Sequence, residues 1–422
     1  MRFEEYKLGD LIESISVTHK FPEEKIIFLN TSDILEGSIL TDEFKDVDSL
    51  PGQAKKSITK GDILYSEIRP KNKRYAFIDF DSENYVVSTK LMVLRVKDSR
   101  LLNNKYLYYY LTSSKIVNHL QNLAESRSGT FPQITFSEIA SLEITLPTLQ
   151  IQKRVVDFMD NLNDKLEINN TIISNLEELA QTLFKRWFVD FEFPNEEGKP
   201  YKSSGGKMVE SELGMIPEGW EVKQLNEVVR HSKKSFNPNK ESQIAVAHFS
   251  LPAYDSQQYP AFEDSKTIKS NKYYINENSV MFSRMNPKTP RTWLPNIQSK
   301  YINVCSSEYV VLDTSLYANK GYIFSLISSN DFNNYLLNNA TGSTNSRQRV
   351  RPEVALQYAF VFDENVAKEF EQKIGSFYKE IISLREEIFT LSNLRDTLLP
   401  KLLSGEIELP DDMEVTDDVP IS

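Results

Sequence analysis

Two proline-containing basic loops hold the side chains best able to recognise a partner through hydrogen bonds. SEIRPKNKR at 66–74 carries Lys71, Lys73 and Arg74, and SRMNPKTPR at 283–291 carries Lys288 and Arg291, each flanked by strand-like runs. A second pair of segments sets Ser88, Thr89 and Lys90 against Ser306 and Ser307, small hydroxyl side chains entering a strand. In a third pair, ESRSGTFPQIT at 125–135 and ATGSTNSRQRVRP at 340–352, Gly and Ser let a loop pass close to a phosphate backbone. There Arg127 and Gln133, or Arg347, Gln348 and Arg349, are the groups that could read base edges. Arg, Lys, Asn and Gln make bidentate hydrogen bonds in the major groove, and contacts to phosphates fix register. The chemistry on offer is recognition of a nucleic-acid duplex. A solvated basic turn is the competing reading for each loop, and a purely structural role stands at least equal for the Ser88 segment. Tyr108, Tyr109 and Tyr110 resemble a stacking platform but follow a helical pattern, which assigns them to a core.

No catalytic apparatus accompanies these loops. The sequence has no G-x-G cofactor loop, its Asn-Pro pairs at Asn237 and Asn286 lack the second proline of a base-flipping tetrapeptide, and no phosphate loop for ATP occurs. His19, His119, His231 and His248 are scattered without metal-site spacing. The expectation is a chain with no catalytic residue, metal or bound cofactor, whose partners supply the chemistry. One cysteine, Cys305, rules out an internal disulfide framework and fits a reducing, cytoplasmic setting. The N-terminal residues lack the basic-then-apolar order of a signal peptide, and no run of about 18 apolar residues occurs.

Net charge is −11, which leaves room only for local basic surfaces. Residues 1–50 hold twelve acidic against five basic side chains, whereas 51–105 hold twelve basic against six acidic. Residues 266–304 carry seven basic and one acidic, and 406–422 carry seven acidic and none basic. The acidic end suits a solvated tail.

The elements that must position these loops come in two copies. Sliding the chain by 215 residues lays NKYLYYYLTSSKIVN from Asn104 on NKGYIFSLISSNDFN from Asn319, Gln133 on Gln348, and LEELAQTLF from Leu176 on LSNLRDTLL from Leu391. Earlier the offset drifts by two or three residues, which pairs the two basic loops. Each copy opens with about 150 residues of mixed strand and helix pattern and ends in a long helical seam. Apolar residues run through Val155, Met159, Leu162, Leu166, Ile173, Leu176, Ala180, Leu183 and Trp187 in the first, interrupted by Asn169. In the second they run through Phe370, Ile374, Phe377, Ile381, Leu384, Ile388, Leu391, Leu398 and Leu402, interrupted by Arg395. Steps alternating between four and three predict coiled-coil packing. A polar linker at 193–216 would have to run back along a helix of about 50 Å if the pair were parallel, so an antiparallel pair is expected. The predicted fold is α+β, with two pseudo-symmetric mixed α/β domains, at 1–148 and 217–362. Long antiparallel helices at 149–192 and 363–404 separate them, and an acidic tail fills 405–422.

Further phrases bring a family into view. LFKRWFVDF from Leu183 with ESELGMIPEGWEVKQL from Glu210, LLPKLLSGEIEL from Leu398, FSLPAYD from Phe249, IKSNKYYI from Ile268 and SRMNPKTPRTWLP from Ser283 stand in an order that resembles the specificity (S) subunit of type I restriction-modification systems. The resemblance covers essentially the whole chain. It implies two target-recognition domains on double-stranded DNA and two helical regions docking two methyltransferase (modification) subunits. It further implies association with restriction/translocase subunits, with S-adenosylmethionine, ATP and Mg carried by those partners. The target sequence does not transfer. A coiled-coil scaffold joining two protein-binding domains, without DNA, is the alternative reading, and a reader fused to its own nuclease or methyltransferase is disfavoured by the missing motifs.

Overall fold

The computed structural model describes residues 4–127, 130–241, 244–317, 319–342 and 348–410. It divides into two compact units, Met1–Lys165 with Leu391–Ser422, and Leu166–Thr390. Both long helices pass from one unit into the other.

In the first unit two four-stranded sheets form the domain. One is antiparallel, in the order Ile12–Ile15, Leu91–Val96, Ile63–Ser66, Tyr75–Phe77. The other runs Phe44–Asp46, Lys25–Leu29, Tyr85–Ser88, Ala54–Ser57, with its two middle strands parallel. Every residue of Ile63–Ser66 is buried, so this strand reads as a continuous apolar run rather than an alternation. Strand Glu4–Lys7 pairs with Glu143–Leu146 just before the first long helix. Helix Asn104–Thr112 starts at Asn103, whose side chain accepts from the amides of Lys105 and Tyr106. Its Tyr106, Leu107, Tyr109 and Leu111 enter the core, and Tyr108 packs partly buried against it, which is the place expected of the tyrosine run.

The second unit repeats this plan. Its antiparallel sheet runs Arg230–Ser232, Tyr309–Asp313, Ser279–Ser283, Thr292–Trp293. Its other sheet runs Ser235–Phe236, Lys272–Tyr274, Ile302–Ser306, Ala245–Phe249, Ala261–Asp264, again with one parallel pair at its middle. Glu221–Gln224 pairs with Ala359–Phe362 ahead of the second long helix. Cys305 is fully buried, and burial pushes its thiol well above the usual range.

The repeat offset needs one correction. Between 103 and 146 the copies superpose at 216 residues, not 215. The helix caps are Asn103 and Asn319, Ser113 Oγ and Ser329 Oγ donate to the carbonyls of Tyr110 and Leu326, and buried Ile116 and Leu120 match buried Phe332 and Leu336. Letter identity sets Asn104 on Asn319 and Lys105 on Lys320, whereas caps and burial fix helix phase, and a slip of one residue turns each side chain by about 100°.

The long helices span Leu149–Phe188 and Glu364–Ser404, each about 60 Å at 1.5 Å per residue. Asp363 starts the second by accepting from the amides of Asn365 and Val366. Seam residues Val155, Met159, Leu166, Ile173 and Ala180 are buried, as are Phe370, Ile374, Ile381, Leu384 and Ile388, at the offset of 215 that the sequence predicts. Within the first unit Arg395 NH1 donates to Asn163 Oδ1 at 3.4 Å. Within the second, Asn169 Nδ2 donates to Glu387 Oε2 at 2.9 Å and Arg385 NH2 to Glu177 Oε1 at 2.5 Å. In the second unit the partner number falls as the residue number rises, from 387 at Asn169 to 385 at Glu177, which makes the packing there antiparallel. The two interruptions thus meet polar partners across the seam, and Arg385, 7% exposed, is a third polar member that the apolar pattern did not disclose.

Two connecting segments add to what the sequence discloses. The polar linker at 193–216 carries local structure of its own. Phe193 stacks on Tyr201 at 4.6 Å and meets Trp220 at 4.9 Å, and Met208–Ser211 forms a hairpin with Gly214–Pro217. Three aromatic residues spread over 28 positions give no local periodicity, so the cluster is invisible until the chain closes. The start of the acidic tail also docks. Ile407 and Leu409 pack on the first-unit core, and Arg154 NH2 donates to the carbonyl oxygen of Leu409 at 2.8 Å; residues 411–422 lie outside the described residues.

Candidate nucleic-acid interface

In each domain the three segments nominated from sequence meet in one loop cluster, built by backbone hydrogen bonds that recur almost bond for bond. The amide of Ser66 donates to the carbonyl of Arg74 at 2.9 Å, and that of Ser283 to Arg291 at 2.8 Å, closing each basic loop. Ser66 Oγ accepts from the amide of Ile68, and Ser283 Oγ from that of Met285, both at 3.1 Å. The Ser88 segment joins through Glu67 N to Lys90 O at 3.2 Å, matched by Arg284 N to Glu308 O at 2.9 Å. The third segment joins through Arg69 N to Pro132 O and Ile134 N to Glu67 O, matched by Asn286 N to Gln348 O and Val350 N to Arg284 O. Arg69 and Asn286, each directly before a buried proline, both adopt left-handed backbone, with φ of 44° and 50°. Left-handed backbone costs a side-chain-bearing residue about 1 kcal/mol, and its recurrence in both copies marks a held loop.

This geometry moves one pairing. Gln133 bridges Ile68 and Arg349 bridges Met285, so the structural counterpart of Gln133 is Arg349, not Gln348, whose place in the first domain is taken by Pro132. In a ladder a shift of one residue exchanges the two faces. Ile134 and Val350, both 1% exposed, are the anchors that fix it.

The nominated side chains divide into those that face out and those tied inward. Lys71, Lys90 and Lys288 are exposed, and the amide of Lys71 donates to Gln121 Oε1 at 3.0 Å. Lys73 is exposed with Nζ 3.2 Å from Glu36 Oε1. Arg74 turns inward, donating to the carbonyls of Ser32 and Ile34 at 3.2 and 2.8 Å. Arg291, 13% exposed, grips Asp255 with Nε and NH2 at 2.6 and 2.9 Å. Both arginines therefore hold the short helix that follows the central parallel strand of their own domain, 31–33 in one and 251–257 in the other. Arg127 pairs with the buried Glu138. Burial alone would raise the Glu138 carboxyl, but the hydroxyl and amide of Thr135 and the Arg127 guanidinium outweigh it and hold it below the usual range. Gln133 and Gln348 are half-buried, and Arg347 lies outside the described residues. Ser88 Oγ and Ser306 Oγ accept from the amides of Lys90 and Glu308 at 3.2 and 3.3 Å, a structural duty. Thr89 N donates to Gln53 O at 2.9 Å.

Arg349 stands at the outer edge of the second cluster. Its Nε and NH2 both lie 3.1 Å from the Glu308 carboxylate, and Arg284 Nε lies 3.3 Å from the same group. Burial pushes the Glu308 carboxyl up, yet the two guanidinium groups overcome this and keep it below the usual range.

The comparisons with known proteins agree on one family. The model described as type I restriction modification DNA specificity domain matches residues 2–178. The type I restriction enzyme HindI specificity subunit of Haemophilus influenzae is 31% identical over 471 residues, covering 96% of this chain and 99% of that protein. The chain belongs to the type I restriction enzyme specificity subunits. The MjaIX specificity subunit of Methanocaldococcus jannaschii is 25% identical over 322 residues, 72% of this chain and 69% of that one. A crystal structure of the type I restriction-modification system S subunit from M. genitalium shares the fold, with a TM-score of 0.51 at 13% identity over 96% of each chain.

The sequence reading passed over four residues that the specificity subunit places in its loop clusters: Glu67, Arg69, Arg284 and Glu308. Their signal was present as a charged residue directly after Ser66 and Ser283, an arginine directly before Pro70, and a charged residue two places after Ser306. No group of side chains suited to a metal ion occurs among the described residues. No helix there is long and apolar enough to cross a membrane.

Proposed function

We propose that this specificity subunit reads a bipartite target on double-stranded DNA, one half-site per domain, and has no catalytic residue of its own. The observation that carries the reading is the duplicated loop cluster. Each domain presents the same backbone frame, with exposed Lys71 and Lys90 in one and exposed Lys288 and Arg349 in the other. Lysines and arginines of this kind supply the salt-dependent phosphate term, and the frame holds other side chains for base contacts. Residues 1–148 and 217–362 are the two target-recognition domains in this reading, and the subunit works in the cytoplasm. The long helices dock two methyltransferase subunits, and restriction/translocase subunits join that assembly. S-adenosylmethionine, ATP and Mg sit on those partners. Ile168, Ile172 and Leu179, exposed along one side of the first long helix, support docking there, since an apolar stripe in water marks an interaction surface.

The test exchanges residues 217–362 for the equivalent domain of a specificity subunit with a different known target, and maps methylated bases in cells. One half of a gapped target should change. A change in both halves, or a continuous site, overturns the division of labour. For the docking surface, Ile168→Asp with Leu179→Asp should abolish the mass shift on mixing with the methyltransferase while leaving the melting temperature within about 1 °C. An unchanged complex mass places the methyltransferase elsewhere.

A further inference from the structure

The two clusters share a backbone but not their charges. At the position of Glu67 the second domain has Arg284, at that of Lys90 it has Glu308, and at that of Gln133 it has Arg349. Each equivalence is set by the same hydrogen bonds or bridge. Two of the three positions thus exchange sign. In the first domain Glu67 lies beside Lys56, whose Nζ is held by the carbonyl of Leu91 at 2.8 Å. In the second the exchange brings one carboxylate between two guanidinium groups.

That arrangement aims one guanidinium. A guanidinium has five N–H donors in a rigid fork. Glu308 takes the edge formed by Nε and NH2 of Arg349, which leaves the NH1–NH2 edge, where the one contact among the described residues is from NH2 to the weak thioether acceptor Met285 Sδ at 3.8 Å. NH1 makes no hydrogen bond among the described residues, and the side chain is 44% exposed. A fork whose other edge is clamped by a carboxylate loses little further freedom on binding, and its open edge matches two acceptors side by side. In the major groove that pattern is guanine, through O6 and N7; adenine offers a donor beside its acceptor, and neither pyrimidine offers two acceptors. An unclamped arginine or a lysine would meet a phosphate equally well. A clamped fork fits two acceptors in one fixed direction, and of the groups that offer them only a base edge ties the contact to sequence.

We infer that Arg349 reads a guanine in the half-site of the second domain, with Glu308 as the positioning residue that aims it. The first domain, with Gln133 in that place, lacks the device. The inference rests on the proposed DNA-reading role and adds to it the identity of one base and the residue that selects it.

The experiment uses the full chain assembled with its methyltransferase subunits and a library of duplexes varied one position at a time across both half-sites. The wild type should prefer guanine at one position of the half-site that changes with residues 217–362. Arg349→Gln should lower that preference by roughly ten- to a hundredfold, leaving the other positions and the salt dependence in place. Glu308→Gln, which keeps an acceptor but drops the charge, should lower the same preference by a smaller factor with an unchanged melting temperature, a readout that a merely structural role would not move. A loss of affinity equal for all sequences, with a shallower salt dependence, makes Arg349 a phosphate contact and overturns the inference. So does a Glu308→Gln complex with full guanine preference. If the wild-type complex shows no base preference at any position, the DNA-reading proposal itself fails, and that outcome is distinct from the other two.

Discussion

The two domains differ least where the backbone turns and most where side chains leave it. Equivalent hydrogen bonds fix the basic loop, the strand entry and the third segment in both, with lengths that agree to 0.3 Å or better for each matched pair. Yet Glu67, Lys90 and Gln133 in one become Arg284, Glu308 and Arg349 in the other. A frame held by main-chain groups tolerates such exchange, because the bonds that define it do not depend on side-chain identity. The helix after the frame shows a second kind of difference. Asn103 caps the first copy with its own side chain. In the second, both polar side-chain atoms of Asn319 are buried without a partner among the described residues, and Glu371 of the second long helix accepts from the amide of Tyr322 at 2.9 Å instead. One copy caps its helix locally, and the other has handed the task to a long-range carboxylate.

The largest expected effect breaks one frame and spares the other. Ile134→Asp or Val350→Asp puts a carboxyl at an anchor that is 1% exposed, at a cost of about 3–5 kcal/mol. Hydrogen exchange should rise in the mutated domain only. Equal deprotection of both domains would mean that they do not fold as separate units.

Next comes the charge beneath the second helix. Burial pushes the Lys320 ammonium down to about 8, against the pull of Glu371 and Glu277, while its counterpart in the first domain at the 216 offset is the uncharged Asn104. Between about pH 8 and the unfolded value near 10.4 the unfolded state holds more protons, so this group makes stability rise with pH across that window. Lys320→Met should stabilise the second domain by on the order of 1–2 kcal/mol at pH 7. The difference in melting temperature between variant and wild type should shrink by pH 9.5. A difference independent of pH would show that the ammonium is not the source.

The caps sharpen the comparison at smaller scale. Asn103→Ala should cost about 1 kcal/mol, whereas Asn319→Ala should be near neutral and Glu371→Ala should cost about as much as the first. Chemical denaturation of the three variants measures this, and equal losses for Asn103→Ala and Asn319→Ala would erase the distinction. Smallest in stability are the exposed lysines. Lys71→Ala and Lys288→Ala should leave melting unchanged and each reduce the slope of log affinity against log salt by about 1; an unchanged slope removes that lysine from the interface.

Much of this was legible from residue order alone. The duplication, the two seams and the three paired segments are periodic or repeated features, and periodicity is local information that survives without a fold. The ordered phrases from Leu183 to Leu409 carried the resemblance to the family that the relatives establish. What sequence could not supply was phase and direction. The offset of 216 follows from caps and burial, the inward turn of Arg74 and Arg291 from carbonyls and a carboxylate 36 to 42 residues away, and the clamp on Arg349 from Glu308, 41 residues earlier. The aromatic cluster of Phe193, Tyr201 and Trp220 and the buried Arg385 belong with these. An arginine is written with the same letter whether it faces a groove or braces a helix, and only the closed chain brings up the acceptor that decides between them.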